Sequence, residues 1–306
     1  MKKLENLVSD YYKSYDYRNL RDETKKQYEY FINVMLNTEV DGHALSTLDY
    51  TTMKTRVAKV AYNEWCEKGI HMANHVMSVA SIVFNHGLRM EMCIVNPFAN
   101  VRRRAAERRK TVWSREHVQK FLDAAYSDFS TRNIGLIAHM AYEWCQRLGD
   151  MRLLTWDAID FEARTLTLEQ SKRKADVHLP ISDDLCDMLS QQHEDFGFQK
   201  YVAPRPYPIK GEYRPYSLQK LPLHARKVMD DAGLPRELRL SDLRRTGTTE
   251  MVEAGVGMAQ IMSVTGHANP ASVKPYMKNT LKSANHALTE RKMHVTSIPS
   301  AAKEGV

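Results

Sequence analysis

Apolar residues recur every three or four positions along almost all of this chain, and one stretch breaks that rhythm. Tyr28, Phe31, Ile32 and Met35 mark one amphipathic helix over Asp22–Met35. Met53, Val57, Val60 and Ala61 mark a second, with Ser46-Thr47 expected near its start. Met72, Val76, Val79 and Val83 form a stripe from about Met72 to Met90. Further on, Ile134, Ile137, Ala141 and Trp144 form another. Over Asp157–Pro180 the period shortens to two, with short runs at Ile159–Phe161, Thr165–Glu169 and Val177–Pro180. The chain is therefore expected to be mainly α with a small antiparallel β-sheet, and no strand is expected in its first 100 residues.

The balance of charge is uneven. Residues 1–100 carry 12 basic and 12 acidic side chains, and residues 111–306 carry 26 and 24. The ten residues VRRRAAERRK, 101–110, carry six basic and one acidic. A cluster of that kind neutralises phosphates on a nucleic acid, or simply solvates a linker. Its members are Arg102, Arg103, Arg104, Arg108, Arg109 and Lys110. The N-terminus has no apolar core after its basic start, so no secretory signal is read, and no apolar run is long enough for a membrane span. The four cysteines lie 27 or more residues apart, which signals neither a disulfide framework nor a zinc site. A reducing, cytoplasmic setting is expected, with no metal or cofactor.

The basic segment divides the chain. Residues 1–100 are expected to form a small helical domain closed by Pro97 in the sequence NPF. Residues 101–112 read as an interdomain linker, 113–280 as a larger domain and 281–306 as a tail. Ser114 is the expected N-cap of the helix that opens the larger domain, with His117 in its first turn. Helix one begins within the first 25 residues, so no separate DNA-binding domain is expected in front of it. Residues 196–220, rich in Pro, Tyr and Gly, read as an irregular excursion between helices.

Several polar residues stand out against this background. Arg147 follows an apolar helix, and Asp150 lies one turn on, within reach of its guanidinium. Lys172, Arg173 and Lys174 sit in the polar turn between two strands. Ser241 or Asp242 should cap a helix whose first turn holds Arg244, where N–H groups and the helix dipole favour an anion. Finally, His267 is followed nine residues later by Tyr276, in TGHANPASVKPY. Each feature alone is ordinary: an ion pair, a charged turn, a surface tyrosine.

Taken in order, the segments QRLGDMRLLTWDAID, LEQSKRKADVHLPIS, LSDLRRT and TGHANPASVKPY resemble the tyrosine recombinase (phage integrase) family. The N-terminal half is similar to that family's helical core-binding domain. The resemblance implies a core-type DNA-binding domain ahead of a catalytic domain. It implies that Arg147 and Arg244 clamp the scissile phosphate, that Lys172 protonates the leaving 5′-oxygen and that His267 assists. Tyr276 would attack phosphorus, with Asp150 orienting Arg147 from behind. Ser241 stands where the family usually has His, sometimes Lys, and a hydroxyl is no base near neutral pH. Arg173 and Lys174 would join the basic linker in contacting DNA.

The resemblance further implies site-specific recombination without metal or ATP. The expected partners are double-stranded DNA attachment or recombination sites, bound by a homotetramer on two duplexes, with DNA-bending accessory proteins. A phage or mobile-element integrase is the expected role, with a nucleoid or host-cytoplasmic location. A Xer-like dimer resolvase and an inactive DNA-binding regulator of the same fold are the rivals. In the tail, Met277, Leu281, Ala284 and Leu288 form one stripe, which either folds back on its own domain or, as the resemblance implies, docks on a neighbouring protomer.

Overall fold

The computed structural model describes residues 2–107, 109–172, 174–277 and 281–297. It divides into two compact units, Met1–Arg109 and Lys110–Val306.

The first unit is helical. It contains α1 (Leu4–Lys13), the short α2 (Tyr15–Arg18), α3 (Asp22–Leu36), α4 (Thr55–Lys68) and α5 (Ile70–Arg89). Leu4, Leu7, Ile32, Met35, Trp65 and Phe84 fill its centre. Trp65 stacks on Phe98 and donates from Nε1 to Thr38 Oγ1 at 2.7 Å, so the indole buries its ring without orphaning its N–H. The NPF sequence does close the core. Asn96 Oδ1 accepts from the Phe98 N–H, and its Nδ2 donates to Ser81 O and Asn85 Oδ1, which turns Phe98 inward.

Three expectations for this half are corrected. A minimal antiparallel hairpin is present, β1 (Glu39–Val40) and β2 (His43–Ala44), around an Asp41-Gly42 turn with φ of 52° and 78°. Two-residue strands show no period, and the Asp-Gly pair was their one local signal. Ser46-Thr47 lies in an isolated 3₁₀ turn, and α4 begins only at Thr55, after Met53. Val60 faces out at 38% exposure, and Ala58, Tyr62 and Trp65 bury α4 instead.

The second unit begins with α6 (Arg115–Tyr126), α7 (Phe129–Glu143) and the short α8 (Leu148–Met151). The three-stranded antiparallel sheet follows in sequence order: β3 (Ile159–Asp160), β4 (Thr165–Glu169) and β5 (Asp176–Pro180). Then come α9 (Asp183–Phe196), α10 (Leu221–Asp231), α11 (Leu243–Glu253), α12 (Met258–Thr265) and α13 (Leu281–Ser297). Ser114 caps α6 by accepting from the His117 N–H at 3.1 Å. The expected stripe on α7 is buried throughout, in a core shared with Phe121, Met140 and Leu189. No helix lies between α9 and α10.

Two contacts set the position of α11 against α7. Tyr142 donates to Glu250 at 2.8 Å. Gly247 lets the backbones meet, since a Cβ there would lie 2.6 Å from the Tyr142 carbonyl oxygen. Trp113 fastens the entering chain to the same place, donating from its backbone N–H to Thr246 Oγ1 and from Nε1 to Arg239 O.

The basic segment is anchored to the first unit over part of its length. The Arg104 N–H donates to the Tyr62 hydroxyl, Asn74 donates to Arg104 O, and Arg103 donates to Ser78. Among the described residues no helix is long and apolar enough to cross a membrane.

Candidate functional site

The site is built where α7 ends. At Cys145 the chain turns through a left-handed φ of 51°, a conformation that costs a non-glycine residue about 1–3 kcal/mol. Burial pushes the Cys145 thiol up to about 12, so it is a packed, unreactive group. The turn points Gln146 inward and places Arg147 at the N-cap position of α8. Arg147 Nη1 donates to Gln170 Oε1 at 2.7 Å and lies 3.6 Å from Asp150 Oδ2.

Asp150 is buried and faces two ways. Its Oδ1 accepts from the backbone N–H and the hydroxyl of Ser171. The turn that carries Lys172 is thereby tied to the arginine. Lys172 itself is exposed at the tip of the β4–β5 hairpin, while Lys174 is engaged by Glu169. Arg173 lies outside the described residues.

Arg244 is the second residue of α11. Asp242 holds the N-cap position, but its carboxylate accepts the Arg239 N–H and makes no cap bond to α11, which corrects the expected cap. Arg244 Nη2 donates to Thr265 O at 2.8 Å and reaches His267 Nε2 at 3.3 Å. Its Nη1 is buried with no hydrogen-bond partner. Burial, and then the nearby charge of Arg147, push its pKa down to about 10, partly offset by Tyr276, Cys145 and Asp150. It remains a cation at neutral pH, in a place where a cation is costly.

The third segment is the turn after α12. Gly266 ends that helix in the left-handed region, φ 66°, and its N–H bonds back to Met262 O. Thr265 donates to Ile261 O, so its hydroxyl oxygen is free to accept from His267 Nδ1 at 2.6 Å. That fixes the proton on Nδ1 and leaves Nε2 as the acceptor facing Arg244. Tyr276 follows on a 3₁₀ turn, with its ring 6.1 Å from the His267 ring and under the Arg245 guanidinium at 5.3 Å.

Two buried amides, Gln146 and Gln170, link these segments. Gln170 Nε2 donates to Gln146 Oε1 and to Thr265 O, and Gln146 Nε2 donates to Trp144 O and Val264 O. The structure thus gathers Arg147, Asp150, Arg244, His267 and Tyr276, with Lys172 one residue beyond Ser171. Ser241 is exposed on the 3₁₀ turn before α11. Of the basic linker, Arg102, Arg103, Arg104 and Lys110 are exposed and Arg109 is half-buried, whereas Arg108 lies outside the described residues. Gln146, Gln170 and Arg245 had not stood out in the sequence. Their one signal was a polar side chain beside an expected site arginine or lysine.

The match of a family model over more than half of the chain makes the molecule a tyrosine recombinase. The chain belongs to the phage integrase family, whose model matches residues 112–282. No curated protein sequence matches it. Similar solved structures include a lambda integrase dimer bound to a COC′ core site, 19% identical with a TM-score of 0.73, covering 90% of this chain and 77% of that one. A lambda integrase tetramer bound to a Holliday junction is 18% identical with a TM-score of 0.74, covering 90% and 78%. The Tn1549 transposon integrase in complex with a circular intermediate DNA is 14% identical with a TM-score of 0.76, covering 95% and 100%. At these identities the likeness is one of fold.

Proposed function

We propose that this protein is an integrase of a phage or mobile element that cuts and rejoins DNA through a covalent bond to Tyr276. The observation that carries the reading is the half-buried Arg244, whose Nη1 has no protein acceptor, set near a second guanidinium with His267 and Tyr276 alongside. A phosphodiester is the ligand such a place suits. Charge grows on its non-bridging oxygens in the transition state, and planar, permanently charged forks match them.

In this reading Tyr276 attacks phosphorus, the 5′-oxygen leaves and a 3′-phosphotyrosyl bond forms. Lys172 gives the leaving oxygen its proton, a contribution of about 10²–10⁴ in rate for a positioned acid. His267 assists through Nε2, the ring nitrogen that faces Arg244, and Asp150 keeps Arg147 and the Lys172 turn together. Ser241 contributes at most one hydrogen bond. Attack by a 5′-hydroxyl on the phosphotyrosine reverses the chemistry, so the exchanged bond conserves its energy and no ATP is consumed.

Residues 1–100 serve as the core-type DNA-binding domain and 113–280 as the catalytic domain. The basic residues of 101–112, with Arg173 and Lys174, meet the sugar–phosphate backbone. The working assembly is a homotetramer on two attachment-site duplexes, helped by DNA-bending proteins.

The test is a nicked suicide duplex carrying the attachment site. The parent protein should give a denaturation-resistant protein–DNA band. Tyr276→Phe should bind the same DNA and give none. A covalent band from the Phe variant would sink the assignment, and no band from the parent would favour an inactive regulator.

A further inference from the structure

We infer that Gln170, supported by Gln146, is a positioning residue that sets Arg147 and the His267 turn in register before DNA arrives. The inference rests on the reading of Arg147 as a phosphate clamp.

Gln170 is wholly buried at the end of β4, two residues before Lys172. Its amide makes three bonds to groups on two distant parts of the chain, Arg147 Nη1 and Gln146 Oε1 on one and Thr265 O on the other. Thr265 O is also the carbonyl to which Arg244 donates. A single amide therefore touches one clamp arginine directly and the other through a shared acceptor. Gln146, also wholly buried, adds bonds to Trp144 O and Val264 O on either side of the same junction. Buried networks with every member satisfied rigidify what they join.

The packing is as specific as the bonding. A Cβ on Gly266 would lie 2.5–2.8 Å from three atoms of the Gln170 amide. The turn that delivers His267 is thus seated directly on Gln170, and glycine is required there both for its φ and for the space.

The choice of an amide has a chemical consequence. A carboxylate at this position would hold Arg147 as well, but would neutralise the charge that the phosphate needs. A neutral acceptor fixes the guanidinium without adding a second negative charge to that of Asp150, 3.6 Å away. The amide's two N–H groups then do what a carboxylate cannot, donating to Gln146 Oε1 and Thr265 O.

The experiment compares Gln170→Leu and Gln170→Glu with the parent in single-turnover cleavage of the suicide duplex, with half-site affinity and thermal melts measured alongside. Both variants should bind the half-site within about threefold of the parent. Both should cleave about 10²-fold more slowly, the cost of misplacing a catalytic group by about 1 Å. In an Arg147→Ala background, Gln170→Leu should cost clearly less than about 10²-fold, because the part exerted through the arginine is already gone and only the part exerted through the His267 turn remains. Gln170→Glu keeps the side chain's size, so it answers the question if the leucine variant does not fold. A folded variant cleaving at the parental rate overturns the inference, as does the full 10²-fold cost persisting without Arg147. Failure of the underlying reading looks different: Arg147→Ala would then cleave like the parent.

Discussion

At the scale of single residues, Arg244 pits function against stability. It is half-buried beside Arg147 with one nitrogen unpartnered, and its pKa is pushed down to about 10 by burial first and by that neighbour second. A base whose folded-state pKa lies below its unfolded value binds its proton more weakly when folded. The burden on folding is therefore full below about pH 10 and is lifted as pH rises from there toward the ordinary arginine value of 12.5. Replacing the side chain with an apolar one of similar length removes the burden at all pH values. Thr265 O would not be orphaned, since Gln170 also donates to it. Arg244→Met is thus expected to melt at the same temperature as the parent or higher near neutral pH, while single-turnover cleavage falls by about 10²–10³-fold, the cost of one lost oxyanion donor. A clearly lower melting temperature would mean that Arg244 is a structural tie. Arg245 lies over the Tyr276 ring at 5.3 Å, a cation–π contact between two half-buried residues worth about 0.5–2 kcal/mol.

At the scale of elements, the β4–β5 hairpin separates two lysines that the sequence could not. Lys174 has a left-handed φ of 54° and pairs with Glu169 at the surface. Lys172 is exposed next to Ser171, which Asp150 anchors beside Arg147. Lys172→Ala should slow cleavage of an ordinary duplex by about 10²-fold or more. With a 5′-thio leaving group, which needs no proton, the same variant should recover most of the parental rate. If both substrates are slowed alike, Lys172 is not the acid. The hairpin and α7 were legible because each follows from a local pattern, period two for the one and a stripe of four apolar residues for the other. The amide network was not legible, because Gln170 meets Thr265 across 95 residues and Gln146 meets Val264 across 118, and such bonds leave no periodicity. The β1–β2 hairpin escaped for the opposite reason, its strands being too short to show any period. The start of α4 was misplaced because Ser46-Thr47 has the composition of a cap but feeds a single 3₁₀ turn.

At the scale of the whole molecule, α13 poses the question of assembly. Its stripe was expected to run through Met277, Leu281, Ala284 and Leu288. Met277 lies ahead of the helix and is 52% exposed, while Leu288 is 62% exposed and Ala284 is also exposed. The side chain of Leu281 lies outside the described residues, as does the chain beyond 297. Met293 and Val295, further along, are exposed as well. A helix of 17 residues is only marginally stable alone in water, and packing of an apolar face normally supplies the rest. The described side chains of α13 do not bury such a face against their own domain. A second protomer is the partner that would cover them, and the short connection to Tyr276 would then couple docking to the position of the nucleophile. Removing residues 281–306 should leave the melting temperature within about 2 °C of the parent, since the described side chains of α13 are exposed. The truncated protein should bind one half-site normally and form a covalent adduct on a suicide half-site, yet give no tetramer on paired full sites when sized in solution. A sharp fall in melting temperature would mean instead that α13 completes its own domain. Efficient recombination by the truncated protein would remove α13 from the assembly altogether.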